Sequence, residues 1–256
     1  MNLTFNRIKR KGGFINVHET PQILLGFTEL DFPLESLRQE LSSYRLRELK
    51  QVHSDIIRFS SQIRQDSEGD GIILDESNCG AAIKTADCTP LCFWFPRDSG
   101  SMGGGVIHIG WRGLLQGIEL KVVDLLEKRF SSFTRRQLNI FLGPSIEKKC
   151  YEVGEDLYKA FSTKSYRDKI FSPISSGGVE TGPRKYWLDV KQGIRLSLQE
   201  AGIPAHQVAA SSLCTFCEAD RFPSHRRNPN SGRIYNFLIL KRPGDTVYLH
   251  NKKILR

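Results

Sequence analysis

Hydrophobic positions along this chain fall into short runs punctuated by glycine, proline and aspartate, and four stretches repeat at helical spacing. The densest succession lies between Asp70 and Gly113. Asp70-Gly71-Ile72-Ile73 is followed by Gly80-Ala81-Ala82-Ile83-Lys84, the turn Thr85-Ala86-Asp87-Cys88-Thr89-Pro90, and then Leu91-Cys92-Phe93-Trp94-Phe95. A Gly/Ser-rich segment over 96–105, read as a mobile loop, precedes Val106-Ile107-His108-Ile109-Gly110-Trp111-Arg112-Gly113. Short apolar runs bounded by turn residues predict buried strands, so Cys88 and His108 fall near strand ends. Gln51-Val52-His53-Ser54-Asp55 places a second imidazole in the same kind of setting.

Elsewhere the pattern predicts strands over 14–17 and 23–27. A helix is expected over 34–49, carrying Leu34, Leu37, Leu41 and Tyr44 on one face, with Pro33 placed for its first turn. Residues 51–59 alternate as a strand and 60–69 form a polar loop. Leu114, Ile118, Val122, Leu125 and Leu126 mark an amphipathic helix over 113–130. A strand over 138–142 and a helix over 153–161 lead to a polar Gly/Ser-rich region, 163–184, that contains Gly177-Gly178. A last helix, 189–201, stops at Gly202. Strands over 208–213 and 234–240 flank a polar, basic loop over 214–233, and a hairpin over 241–255 turns on Pro243-Gly244-Asp245. Strands outnumber helices and do not alternate with them as βαβ units, which predicts a mixed-sheet α/β or α+β domain. No internal repeat or linker interrupts 1–256, so one domain is expected.

Composition narrows the class. At 256 residues, 39% hydrophobic and 25% charged, the chain is long enough for a sizeable core and has ordinary globular usage. No apolar run approaches the roughly 20 residues that span a bilayer, so no membrane association is expected. Arg7-Ile8-Lys9-Arg10-Lys11-Gly12-Gly13 is basic but is followed by polar residues rather than an apolar stretch, and a cytoplasmic location is expected. The six cysteines (Cys79, Cys88, Cys92, Cys150, Cys214 and Cys217) are too few for a disulfide framework and are expected reduced. A formal net charge of +9 reads as a solvated basic surface or as attraction for anionic partners such as nucleotides and phosphate. No zinc-finger, RNP or basic-helix pattern accompanies it, so no specific nucleic acid is expected. Nothing in the pattern specifies an oligomeric state.

Three constellations can carry chemistry. His53, Cys88 and His108, at three separate strand ends, have the residue types of a three-ligand zinc site with an open fourth position. The thiol would bind as thiolate and the imidazoles as neutral rings. Cys92, between Leu91 and Phe93, reads as core packing instead. Arg112, directly before a helix start and flanked by glycines, fits an anion clamp. Ser224-His225-Arg226-Arg227-Asn228, followed by Gly232-Arg233, offers adjacent guanidinium groups for phosphate or a carboxylate. Cys214-Thr215-Phe216-Cys217 is a single Cys-x-x-Cys without a second pair at finger spacing and reads as a structural thiol pair. There is no Walker sequence and no Gly-x-Ser-x-Gly elbow.

Gln-Val-His (51–53), Asp-Gly-Ile-Ile (70–73), Thr-Ala-Asp-Cys-Thr-Pro (85–90), His-Ile-Gly-Trp-Arg-Gly (108–113), Gly-Pro-Ser-Ile (143–146), Cys-Thr-Phe-Cys (214–217) and Ser-His-Arg-Arg-Asn (224–228) occur in this order. Together they resemble the laccase-domain family, named for multicopper polyphenol oxidases and also described as purine nucleoside phosphorylases, which includes bacterial peptidoglycan-editing factors. The resemblance covers roughly 26–240. It implies a layered α/β/β fold like the catalytic domain of cytotoxic necrotizing factor toxins, and a zinc site formed by His53, Cys88 and His108. It implies phosphorolysis of adenosine, inosine and methylthioadenosine, adenosine deamination, and in some bacteria peptidoglycan-precursor editing. His225, Asn228 and Lys84 stand where the family usually carries Tyr, Asp and Arg, and Glu35-Ser36 lies near the place of an expected Asn-Arg pair.

The leading expectation is thus a metal-dependent purine nucleoside phosphorylase with adenosine deaminase activity, binding a purine nucleoside and phosphate. Zinc is the expected metal, with copper the other candidate. Cys88, His53, His108 and Asp87 would be catalytic, and Lys84, Arg112, Arg226 and Arg227 would bind substrate and phosphate. Asp55 and Asp87 are candidate proton carriers. Rival readings are a hydrolase using Cys88 as nucleophile and His108 as base, a copper polyphenol oxidase, and a basic nucleic-acid binder. With six histidines and no His-x-His pair, the chain cannot build a trinuclear copper cluster.

Overall fold

Two six-stranded mixed sheets stack face to face, with most of the helices laid over the free side of the second. The computed structural model describes residues 1, 3–30, 32–76, 78–98, 100–175 and 183–242. The first sheet runs, in spatial order, Asn6–Arg10, Gly13–Glu19, Ile23–Thr28, Ile234–Leu240, Cys79–Thr85 and Arg45–Arg47. The second runs Val208–Ala210, Asn139–Leu142, Thr89–Pro96, Met102–Ile109, Gly71–Leu74 and Ile57–Phe59. A small third sheet joins Glu152–Gly154, Lys185–Leu188 and Phe171–Pro173. Among the described residues, strands pair in parallel only at sheet edges, where Arg45–Arg47, Ile57–Phe59 and Val208–Ala210 dock. The mixed α/β class expected from the pattern is what the chain adopts.

The period of two along a strand builds the layers. In Thr89–Pro96, Leu91, Phe93 and Phe95 face the helices, while Cys92 and Trp94 face the first sheet. The helical face also takes Ile118, Val122 and Leu126 from Ile118–Arg129 and Ile194 and Leu198 from Val190–Glu200. On its outer face the first sheet packs Ile15, Val17 and Phe237 against Leu37 of the helix Leu34–Glu40. Each fully buried Phe or Leu in these layers contributes about 1.5–3 kcal/mol.

Several expectations are corrected. The helix expected over 34–49 ends at Glu40; Leu41 and Tyr44 still reach the core, but Arg45–Arg47 leaves to pair in parallel with Cys79–Thr85. The strand expected over 51–59 is confined to Ile57–Phe59, because the backbone N–H groups of residues 52–54 turn onto the Asp70 carboxylate instead of a ladder. Half of the expected mobile loop over 96–105 is strand, since Met102–Ile109 takes in Gly103, Gly104 and Gly105. A Cβ at Gly103 or Gly105 would strike the rings of Phe95 and Phe93, so the run is bare where those rings cross it. The expected helix over 113–130 is two helices, Trp111–Gln116 and Ile118–Arg129, broken at Gly117, whose φ of 76° is left-handed. The region 153–161 opens as the strand Glu152–Gly154 before the helix Glu155–Ala160, and 163–184 contains Arg167–Ile170 and Phe171–Pro173. Asn6–Arg10, for which the pattern predicts no element, is an edge strand whose charged side chains suit an exposed margin. Gly177-Gly178 and the hairpin from 243 onward lie outside the described residues.

One buried carboxylate ties the basic loop over 214–233 to the first sheet. Burial opposes the charge of Glu29, but hydrogen bonds from Arg7, Arg221 and Asn16 outweigh it and hold the carboxyl down at about 2. The segment that carries Arg226 is anchored by this cluster.

Candidate metal centre and anion pocket

Cys88 lies in the three-residue link between a strand of the first sheet, Cys79–Thr85, and a strand of the second, Thr89–Pro96. Pro90 pairs with His108 on the neighbouring strand, which brings that imidazole beside the link. His53 arrives from the loop before Ile57–Phe59. Its Nε2 is 4.0 Å from Cys88 Sγ, and its ring meets that of His108 edge to face at 4.8 Å. One ligand atom from each of His53, Cys88 and His108 lies within 4.8 Å of the others.

Asp70, which the sequence pattern marked only as a strand boundary, organises this trio. Its buried carboxylate accepts from His108 Nδ1 at 2.8 Å, from the N–H groups of Val52, His53 and Ser54 at 3.3, 3.1 and 2.6 Å, and from Ser54 Oγ at 2.8 Å. These bonds hold His53 at a φ of 58°, a left-handed conformation that a histidine rarely adopts unaided. They also fix His108 as donor through Nδ1, leaving Nε2 free to face Cys88. Burial disfavours the Asp70 charge, but His108 and Ser54 outweigh it and hold the carboxyl at about 2. Burial likewise opposes ionisation of the Cys88 thiol, yet His108 and His53 draw it down to about 6. His108, against its own burial, is lifted to about 9 by Asp70 and Cys88. Each of the two groups thus favours the charged form of the other; with a cation, one atom from each of the three residues makes a preformed N₂S donor set.

Above the trio is a cavity of about 330 Å³, a size suited to a small ligand. Trp111, Arg112, Tyr151, His225 and Arg226 line it. The Arg112 guanidinium sits 4.3 Å over the Trp111 ring, and that of Arg226 5.2 Å from the Tyr151 ring. Burial and the nearby Cys88 raise the Tyr151 phenol to about 12, so it enters the site as a neutral donor.

The remaining site residues named from sequence lie elsewhere or are otherwise engaged. Lys84 is exposed, its backbone exchanging hydrogen bonds with the Gln51 side chain, and it does not line the cavity. Arg227 turns away from the cavity and donates to the carbonyls of Thr215, Phe216 and Phe222 at 3.0, 2.7 and 2.6 Å. Asp87 lines the cavity, but its carboxylate accepts from Thr215 Oγ1, Ser224 Oγ and the Arg226 N–H at 2.6, 2.9 and 2.7 Å. Asp55 pairs with Lys121. Asp70 and Tyr151 were missed. The signal for Asp70 was its place ahead of a strand, where a buried acid requires donors.

Residues 34–241 match the family described as multi-copper polyphenol oxidoreductase laccase. The chain is 33% identical to the purine nucleoside phosphorylase YlmD of Bacillus subtilis over 175 residues, 67% of this chain and 59% of that protein. It is also 33% identical to a purine nucleoside phosphorylase of Bacteroides thetaiotaomicron over 184 residues, 71% of this chain and 65% of the relative. The match thus spans about three-fifths of the YlmD sequence. Among solved structures, YlmD of Geobacillus stearothermophilus superposes with a TM-score of 0.75 at 25% identity, covering 94% of this chain and 100% of that one. YfiH of Bacillus licheniformis gives 0.73 at 25% identity, covering 89% and 96%. A family match across most of the chain, joined to relatives that share its fold, agrees with the ordered motifs: the chain belongs to the multi-copper polyphenol oxidoreductase laccase family.

Proposed function

We propose that this chain is a zinc-dependent purine nucleoside phosphorylase that accepts adenosine, inosine and methylthioadenosine and also deaminates adenosine. The carrying observation is one cavity lined by His53 and Cys88, with the buried His108 beside them, and by two guanidinium groups, Arg112 and Arg226. The names of the relatives support the choice of reaction. The donor set suits zinc, with two imidazoles, one thiolate and room for a fourth ligand. A blue-copper centre adds an axial group, usually Met, and neither Met1 nor Met102 lines this cavity. When bound, zinc supplies a Lewis acid at its open position.

In this proposal the protein's own residues bind and orient. Arg112 and Arg226 neutralise and aim phosphate, whose oxygen forms a bond to the ribose anomeric carbon. The bond to the purine breaks, and the base leaves with the bonding pair and takes up a proton. Placement of the two reactants and charge stabilisation provide most of the barrier lowering. Tyr151 donates a hydrogen bond from the cavity wall. Asp87, its carboxylate engaged by three donors, acts as a positioning residue for Cys88 and for the Arg226 segment rather than as a proton carrier.

The test measures the metal content of the purified chain, then incubates it with adenosine and phosphate and identifies products. Adenine and ribose 1-phosphate are expected, with about one zinc per chain that is lost in Cys88→Ala, and Cys88→Ala should abolish turnover with circular dichroism unchanged. Inosine as sole product would replace phosphorolysis by deamination. Zinc without turnover of any nucleoside would overturn the substrate class. One observation favours hydrolysis instead: Cys88, His108 and Asp70 are in the order of nucleophile, base and orienting acid. Metal-free protein that cleaves a peptidoglycan-precursor amide and is silenced by thiol alkylation would establish that chemistry.

A further inference from the structure

Cys150, Cys214 and Cys217 stand outside the cavity lining and have no part in the chemistry above, yet the fold gathers them. Ser145 bridges in parallel to Cys214, and the Thr215 N–H donates to the Ser145 carbonyl at 3.2 Å, so the segment leading to Cys150 runs alongside the Cys-x-x-Cys turn. Cys150 Sγ is 3.2 Å from Cys217 Sγ and 3.9 Å from Cys214 Sγ, and all three sulfurs lie within 4.8 Å of one another. Tetrahedral zinc–thiolate bonds of about 2.3 Å place sulfurs roughly 3.8 Å apart, in the middle of these separations. A disulfide would engage two of the thiols and leave the third beside it without a role.

We propose that Cys150, Cys214 and Cys217 form a second, three-thiolate zinc site, separate from the His53–Cys88–His108 trio, with its fourth position open to solvent.

The surroundings are those of a ligand turn. Cys214 is buried, Cys150 partly so, and Cys217 is exposed, so an ion has a way in from the surface. The Glu147 N–H points at Cys214 Sγ from 3.4 Å. Burial raises the Cys214 thiol, but the N–H groups of Glu147, Cys217 and Phe216 outweigh it and lower it. By contrast, burial and the adjoining Cys217 and Cys214 lift Cys150 to about 12. Three touching thiols cannot all ionise unless a cation joins them, and a thiolate-loving ion supplies that charge. Thr215, inside the turn, donates to Asp87 at 2.6 Å, and Arg227 caps the carbonyls of Thr215 and Phe216. Zinc here stiffens the turn that holds Asp87, the neighbour of Cys88.

The test uses the full chain, purified reduced, saturated with zinc and desalted. A His53→Ala/Cys88→Ser double variant should retain ~1 zinc per chain, and adding Cys217→Ser, an exposed and well-tolerated change, should remove it. Cobalt in the double variant should show thiolate charge-transfer absorption that Cys217→Ser abolishes. In the otherwise unaltered chain, zinc should slow alkylation of Cys217, followed by peptide mapping, by at least ~10-fold. Zinc absent from a folded double variant, equal alkylation rates with and without zinc, or a Cys150–Cys217 disulfide that persists under reduction would each overturn the site.

Discussion

The carboxylate of Asp70 and the imidazole of His108, 0% and 4% exposed, are joined by a hydrogen bond of 2.8 Å, and the same carboxylate holds the backbone of His53. One acidic side chain therefore sets the tautomer of one imidazole and the backbone turn of another. Asp70→Asn keeps the shape but places an amide N–H₂ where donors converge. Loss of such a supporting group costs about 10–100-fold in metal affinity, and breaking a buried charge pair costs about 3–5 kcal/mol. Competitive zinc titration and urea unfolding should show both losses. An Asp70→Asn variant that binds zinc as tightly as the parent chain would remove this carboxylate from the metal centre.

Arg226 and Arg227 are adjacent and chemically identical, but their surroundings separate their roles. Arg226 lines the cavity, so Arg226→Ala should raise the phosphate KM by about 10-fold and alter stability by no more than about 0.5 kcal/mol. Arg227 donates to three carbonyls, and Arg227→Ala should cost about 1–3 kcal/mol. Phosphate kinetics beside thermal unfolding separates the two, and reversed effects would contradict the assignment.

What could be read without the fold follows from where the determining forces act. The strands Cys79–Thr85 and Thr89–Pro96 were legible because their buried faces impose short apolar runs. The trio of His53, Cys88 and His108 was legible because metal-binding side chains at strand ends are few. By contrast, Leu37, Leu41 and Tyr44 continue a helical spacing through a helix that stops, because the parallel ladder to Cys79–Thr85 decides where the chain goes after Tyr44. The short strand Lys185–Leu188 falls just after the polar region 163–184, is too short to show a period, and owes its form to partners on both sides. Arg227 could not be told from Arg226, since only the carbonyls of a folded turn distinguish them. Cys150 lies 64 residues before Cys214, beyond any local spacing rule.

Glu119 gives the chain a pH signature remote from the cavity. Its side chain is buried under the helix Val190–Glu200, accepts from Ser197 Oγ at 2.6 Å, and has no hydrogen-bond partner at Oε2. Burial raises it from 4.5 to about 7 despite the Ser197 bond. Between about 4.5 and 7 the folded chain keeps a proton that the unfolded chain has released, so this group's contribution to stability falls as pH rises through that window and is level above it. Glu119→Gln should abolish the slope, gaining on the order of 2–3 kcal/mol at pH 8 and little below about pH 4.5. Denaturant unfolding across this range checks it; parallel profiles for the two proteins would show that Glu119 does not titrate there.

Gly110 tests the metal centre with a single methyl group. Its backbone, at φ −87° and ψ −178°, is open to any residue, so alanine brings no conformational strain. A Cβ there, however, lies 3.0 Å from Cys88 Sγ and 3.6 Å from His53 Cδ2. The sulfur must yield by a few tenths of an ångström, which displaces it from the two imidazoles while the core is untouched. Gly110→Ala should therefore unfold within about 1 kcal/mol of the parent and bind zinc at least ~10-fold more weakly, since ligand distances tolerate only about 0.2 Å. Zinc titration paired with urea unfolding separates the two quantities. Undiminished affinity at equal stability would place the bound ion away from Cys88 Sγ, and a loss of stability without a loss of affinity would show that the methyl group is accommodated by the helix Trp111–Gln116 instead.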